Sequence, residues 1–274
     1  MRTSRAPGRV TLPRAISKLG FASRSQALRL IEAGEVLVNG AADRNPHRWI
    51  DLRHDRIEIR NTALTTQAFR YVLFHKPAGC VTTRSDEKGR PTVLDELGAA
   101  GKGVNPVGRL DLETTGLLLL TNDHQLADRL TSPTSGVPKR YVARLDRPVS
   151  DDHLRRLSDG LNIRMRGHEV LTKPALALRR ENREIEITIT EGKNRQVRRM
   201  LKSIGYEVKS LHRIAVGPLQ LGALNVGESR ELSAEEVGVL RQAVGLSQSA
   251  ALETRSTRRP LKRGLLASYR KPGR

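Results

Sequence analysis

The string Gly116-Leu117-Leu118-Leu119-Leu120-Thr121 sets four leucines in succession with no polar residue among them. Alternate side chains of a strand point to opposite faces, so such a run is stable only where both faces are covered. Its flanks are Thr114-Thr115 on one side and Asn122-Asp123 on the other, and a run this short between them reads as a buried strand. The chain is therefore expected to build a sheet with helices packed on it. At 274 residues it is long enough for about two domains with their own cores. A four-residue apolar run falls far short of the ~20 residues needed to span a bilayer. The single cysteine, Cys80, excludes an internal disulfide framework and a cysteine-rich zinc module. The basic N-terminus lacks the apolar stretch of a secretory signal, and a soluble cytoplasmic protein is expected.

Charge constrains the partners. Forty-nine Lys and Arg stand against 29 Asp and Glu, a formal net charge of +20. An excess of that size points to a nucleic-acid phosphate backbone. Arg2, Arg5 and Arg9 near one end, and Arg255, Arg258, Arg259, Lys262, Arg263, Arg270, Lys271 and Arg274 at the other, supply eleven of the twenty net charges. Segments 1–10 and 246–274 read as flexible basic arms, and the remaining excess lies on the folded body.

Segment 11–60 reads as a small module. A first helix over 11–20 carries Pro13 in its first turn, Leu12, Ile16 and Leu19 on one face, and Gly20 at its end. A second begins at Ser23 with Gln26 completing a capping box, buries Ala27, Leu30 and Ile31, and ends at Gly34. Val36-Leu37-Val38 runs into the turn dipeptide Asn39-Gly40, and 56–60 alternates as a last strand. Arg14, Lys18, Arg24, Gln26 and Arg29 lie on the polar helix faces. Such faces are ordinarily solvated surface. Here the string from Leu12-Pro13-Arg14 through Gly20-Phe21-Ala22-Ser23-Arg24-Ser25-Gln26-Ala27, then Ile31-Glu32-Ala33-Gly34 and Val38-Asn39-Gly40, resembles the S4 RNA-binding domain. The resemblance implies that this face docks on structured RNA. Aromatic residues make up only 3 %, too few for a base-stacking platform, which suits recognition by shape and phosphate contacts. The polar, patternless stretch 61–67 reads as the core of a linker over 61–69.

From residue 70 to 245 strand and helix patterns alternate. Strands are expected at 71–74, 116–121, 140–145 and 184–190, and helices around 93–97, after Asn122-Asp123, and through Val197, Met200, Leu201 and Ile204 to Gly205. Three stretches carry chemistry. Val107-Gly108-Arg109-Leu110-Asp111 sets an acid in a loop before the leucine strand, where Asp111 is either a reactive group on display or a turn former. In Pro138-Lys139-Arg140-Tyr141-Val142-Ala143, Tyr141 points inward, and packing with a satisfied hydroxyl is the ordinary role of such a residue. In Glu191-Gly192-Lys193-Asn194-Arg195-Gln196-Val197-Arg198-Arg199-Met200, cations gather at a helix start. That placement opposes the helix dipole unless an anion binds there.

These stretches, in this order and joined by Leu211-His212-Arg213-Ile214 with Gly217-Pro218-Leu219, resemble the RsuA/RluB-type ribosomal RNA pseudouridine synthases. The match runs from about Leu12 to Val237. The resemblance implies an α+β chain: an S4-like module, then a catalytic domain with a mixed, largely antiparallel sheet flanked by helices. It implies isomerisation of a uridine within RNA, without metal, redox centre or small-molecule cofactor. Asp111 would be the indispensable carboxylate, as a nucleophile or as a base on the sugar. Lys193 would be its basic partner, in a position where relatives often carry arginine, with Arg195 in reserve. Tyr141 would pack on the target base and assist the last deprotonation. Arg109 would fill the gap left by the extruded nucleotide, and Arg195, Gln196, Arg198 and Arg199 would bind the substrate backbone. The expected partner is structured ribosomal RNA or a pre-ribosomal particle, and the expected state is a monomer. The basic C-terminal tail favours a 23S hairpin over a 16S site. A non-catalytic ribosome-assembly factor would share the charge and the small module, but has no need of Asp111, Tyr141 and Lys193 in three separate motifs.

Overall fold

The computed structural model describes residues 9–19, 21–22, 24–60, 62–64 and 68–247, and the chain divides into two compact units, Met1–Ala68 and Phe69–Arg274. In the first unit, helices Leu12–Lys18 and Arg24–Glu32 bury Leu12, Ala15, Ile16, Ala27 and Ile31 against Val36, Val38, Ile50, Ile57 and Ile59. The sheet order is Ala41–Ala42, Val36–Val38, Ile57–Ile59, Thr62–Leu64, all antiparallel. Asn39 (φ 54°) and Gly40 (φ 81°) make the left-handed turn that this dipeptide favours.

Two segments depart from the sequence reading. Residues Arg9–Thr11 are a strand paired with Trp49–Asp51, so the end of the expected 1–10 arm belongs to the folded unit. Likewise Thr62–Leu64, expected as linker, is an edge strand on Ile57–Ile59. Both use backbone ladders at a sheet margin, which ask for little side-chain pattern. Gly20, Ser23, Asn61 and the segments 1–8, 65–67 and 248–274 lie outside the described residues, and with them the helix ends expected at Gly20 and Ser23 and most of both arms.

The second unit is built on one mixed sheet. Its strand order is Leu176–Glu181, Glu184–Ile189, Lys139–Leu145, Val208–Val216, Thr114–Thr121, Tyr71–Lys76, Ser229–Glu231. Every pairing is antiparallel except that of Val208–Val216 with Thr114–Thr121. The leucine strand is covered on both faces, as its composition requires. Leu118 and Leu120 join Val72, Phe74, Val93, Leu157, Val197 and Met200 on one side. Leu117 and Leu119 join Tyr71, Leu73, Leu126, Leu130, Val237 and Leu240 on the other. Burying side chains of this kind stabilises by about 1.5–3 kcal/mol each.

The parallel pairing sets up the site. It lasts only from Leu211 opposite Thr114 to Arg213 opposite Gly116. Gly116 is a buried position at φ 108°, and a Cβ there would lie 2.2 Å from the Arg213 carbonyl oxygen. No side chain fits at that approach. Gly116→Ala is accordingly expected to lose about 3 kcal/mol or more of stability, from overpacking and a disfavoured backbone together. Thermal unfolding of the variant checks this; an unchanged midpoint would contradict it.

Candidate active site

Asp111 stands in a loop that the fold holds from beneath. The Thr114 amide donates to the Asp111 carbonyl at 3.0 Å, closing a turn over 111–114. Thr82 Oγ1 donates to the Leu110 carbonyl at 2.8 Å, and the Gly79 amide donates to that of Leu112 at 2.9 Å. Lys76, fully buried, aims its ammonium under the same turn and donates to the carbonyls of Pro77 (2.9 Å), Leu112 (3.3 Å) and Thr114 (3.0 Å). Burial pulls the Lys76 pKa down, and nearby acidic groups that include Asp111 oppose the shift. The turn is thus pinned by a buried cation just past residue 74, where the sequence pattern ended the strand. The available signal was position: Lys76 continues the Tyr71–Lys76 strand, whose every residue is buried.

A cavity of about 610 Å³ opens above this turn. It is lined by Arg109 and Asp111 from the loop, Tyr141 from the strand Lys139–Leu145, and Lys193, Arg195 and Gln196 from the start of the helix Gln196–Ser203. The structure therefore gathers residues that are up to 87 positions apart in the chain. Asp111 is half-buried, and its carboxylate makes no hydrogen bond or ion pair among the described residues. Tyr141 is 8 % exposed, and its hydroxyl likewise takes no partner there, contrary to the satisfied hydroxyl of an ordinary core tyrosine. Arg109 is exposed at the cavity wall.

The pairing expected between Lys193 and Asp111 is not the one observed. Lys193 Nζ pairs with the carboxylate of Glu191, two residues earlier. Glu191 is buried and also accepts from the Lys173 amide (2.9 Å) and Gln196 Nε2 (2.6 Å). Burial opposes its ionisation, but Lys193, the Lys173 amide and Gln196 outweigh it and hold its carboxyl below the ordinary range. A buried carboxylate demands a cation, and Lys193 is the nearest. Arg195, the reserve candidate, instead meets Glu113 at 3.3 Å from an exposed, left-handed position before the helix (φ 52°). Arg198 lies 3.8 Å from Glu113 and donates to the Val208 carbonyl at 3.1 Å. Burial lowers its pKa, against the charges of Glu113 and Asp111. Arg199 bonds the carbonyls of Arg164 (2.6 Å) and Asn194 (3.0 Å), and neither it nor Arg198 lines the cavity. Glu191 and Glu113, which sort these cations, were not singled out from sequence.

In the first unit, Arg24, Gln26 and Arg29 are exposed on the second helix, while Arg14 and Lys18 are half-buried on the first. Among the described residues no cluster of three or more metal-ligating side chains occurs, and no helix is long and apolar enough to cross a membrane.

The mixed-sheet fold that carries this cavity, following a small helix-and-strand module in the chain, is that of an RNA-modifying isomerase. The chain belongs to the RNA pseudouridine synthases: residues 70–203 match the RNA pseudouridylate synthase family and residues 10–42 match the S4 domain. It isomerises uridine to pseudouridine in RNA, and a non-catalytic assembly factor is set aside. Among its relatives, ribosomal large subunit pseudouridine synthase B of Bacillus subtilis is 37 % identical over 236 residues, covering 84 % of this chain and 95 % of that protein. An uncharacterized RNA pseudouridine synthase of Aquifex aeolicus is 36 % identical over 86 % of this chain and 96 % of its own length. A crystal structure of a pseudouridylate synthase superposes with a TM-score of 0.62 at 32 % identity, over 84 % of this chain and 99 % of that one.

Proposed function

We propose that this enzyme isomerises one uridine in a hairpin of 23S ribosomal RNA, in the cytoplasm and as a monomer, with Asp111 as the reacting carboxylate. The observation that carries the reading is the convergence of Asp111, Tyr141 and Lys193 on one cavity from three separate stretches of chain. The cavity's volume lies in the range that encloses a nucleotide-sized ligand. A uridine stacked in folded RNA enters only after extrusion, at a cost of a few kcal/mol, and Arg109 at the wall is placed to fill the gap. Net chemistry breaks the N1–C1′ bond, forms C5–C1′, and moves one proton from C5 to N1. Asp111, whose carboxylate makes no hydrogen bond or ion pair among the described residues, acts on the sugar, and Tyr141, whose hydroxyl has no partner among them, packs on the base. Lys193 contributes positive potential from its pair with Glu191. The small module, as an S4-like unit over 11–60, supplies docking through Arg14, Lys18, Arg24, Gln26 and Arg29. The resemblance to a large-subunit enzyme over nearly its whole length supports the choice of 23S over 16S.

Incubation with ribosomal RNA carrying tritium at uridine C5 tests this, since the isomerisation releases that tritium. About one equivalent released per 23S molecule and none from 16S is expected; release from 16S alone, or none, would overturn the proposal. Lys193→Met is expected to slow release roughly 100-fold with RNA affinity changed less than about threefold. The opposite split, weak binding with an intact rate, would make Lys193 a phosphate clamp.

A further inference from the structure

The cavity that holds Asp111 is also lined by Lys139 and Arg213, two cations that the reaction as described leaves unused. Register puts them together. Lys139 and Tyr141 lie two residues apart on one side of their strand, and Arg213 is the cross-strand neighbour of Tyr141. On its other side Arg213 sits opposite Gly116, where the sheet then parts.

Arg213 is only 4 % exposed, yet it pairs with no carboxylate among the described residues. Its Nε donates to the Leu117 carbonyl at 2.8 Å, and Lys139 Nζ donates to the Val137 carbonyl at 3.0 Å. No other hydrogen bond or ion pair is made by either side-chain cation among the described residues. Arg241, equally buried, shows how this fold neutralises a guanidinium otherwise, through Asp123 at 2.5 Å. Burial and the charge of Arg213 both push the Lys139 pKa down, so the two cations repel each other at the cavity wall. A buried guanidinium beside a half-buried ammonium of the same sign is costly without a counter-ion, and an anion bound to both offsets that cost.

We infer that Lys139 and Arg213 form an anion subsite of the cavity, which holds a phosphate attached to the extruded uridine. The free N–H groups of Arg213 offer a planar fork for two phosphate oxygens, and the Lys139 ammonium adds a point charge. The inference rests on the catalytic reading for its ligand, and the phosphate is the 5′ or the 3′ phosphodiester of that nucleotide.

Calorimetric titration of the full-length protein with uridine, uridine 5′-monophosphate and uridine 3′-monophosphate at low salt tests it. One monophosphate is expected to bind at least about tenfold more tightly than uridine, and which one identifies the phosphodiester. Lys139→Gln is expected to remove that preference and Lys139→Arg to keep it, with thermal unfolding reporting that both are folded. Equal binding of uridine and both monophosphates, or no monophosphate binding below about 10 mM, overturns the subsite without any variant. Retention of the preference in folded Lys139→Gln also overturns it. The catalytic reading fails separately: tritium release with no phosphate preference sinks only the subsite. A phosphate preference without tritium release sinks only the assignment of the reaction.

Discussion

Asp111→Asn is expected to lower pseudouridine formation by about four orders of magnitude or more, while RNA affinity stays within about threefold of the unaltered enzyme. The substitution is nearly isosteric. The turn it sits in is held by backbone bonds and by Lys76 from below, none of which uses the Asp111 side chain. No ion pair is lost among the described residues, because the carboxylate makes none there. What disappears is a negatively charged oxygen able to act on the ribose, and an amide replaces it poorly as nucleophile or base. Tritium release under single-turnover conditions, beside a filter-binding isotherm, separates the two quantities. A large affinity loss with a preserved rate would move Asp111 from chemistry to RNA positioning.

Asp123→Ala is expected to cost about 3–5 kcal/mol of stability. Asp123 is 1 % exposed and serves three partners: it accepts from the Tyr71 hydroxyl at 2.9 Å, from Arg241 at 2.5 Å, and from the Leu126 amide at 3.1 Å. Alanine leaves a guanidinium buried without a counter-charge and a phenol without its acceptor, and it uncaps the helix His124–Thr131. Burial and the neighbouring Asp123 charge keep Tyr71 protonated far above neutrality, so the hydroxyl is a donor at every working pH. Adding Arg241→Met to the variant is expected to recover much of the loss, since an apolar pair tolerates burial better than half an ion pair. Hydrogen exchange at the amides of the strand Thr114–Thr121 reads the change. A loss under about 1 kcal/mol would mean that water reaches the network.

Much of this fold is written in local pattern. Four leucines in a row required cover on both faces of a strand, and both covers are present. Asn39-Gly40 specified its turn, and Gly205 (φ 89°) ends the last basic helix. The strand Val208–Val216 was harder to read because its buried Arg213 breaks the apolar alternation. The strands Arg9–Thr11 and Thr62–Leu64 escaped because edge pairing places small demands on side chains. Within the site, motif order located Asp111, Tyr141 and Lys193 together. It did not assign the ion pairs, since sequence supplies the sign of each charge but burial decides the partner. Glu191 is buried within reach of Lys193, and Glu113, on the exposed shoulder of the Asp111 turn, captures Arg195.

Nucleotide-resolution mapping of pseudouridine in 23S RNA, from cells lacking the gene and complemented with either form of the enzyme, bears most directly on Asp111 as the reacting group. The account predicts that one position loses its pseudouridine on deletion, regains it with the unaltered enzyme, and stays uridine with Asp111→Asn. Full restoration by Asp111→Asn, or a deletion strain with every 23S position still modified, would contradict it.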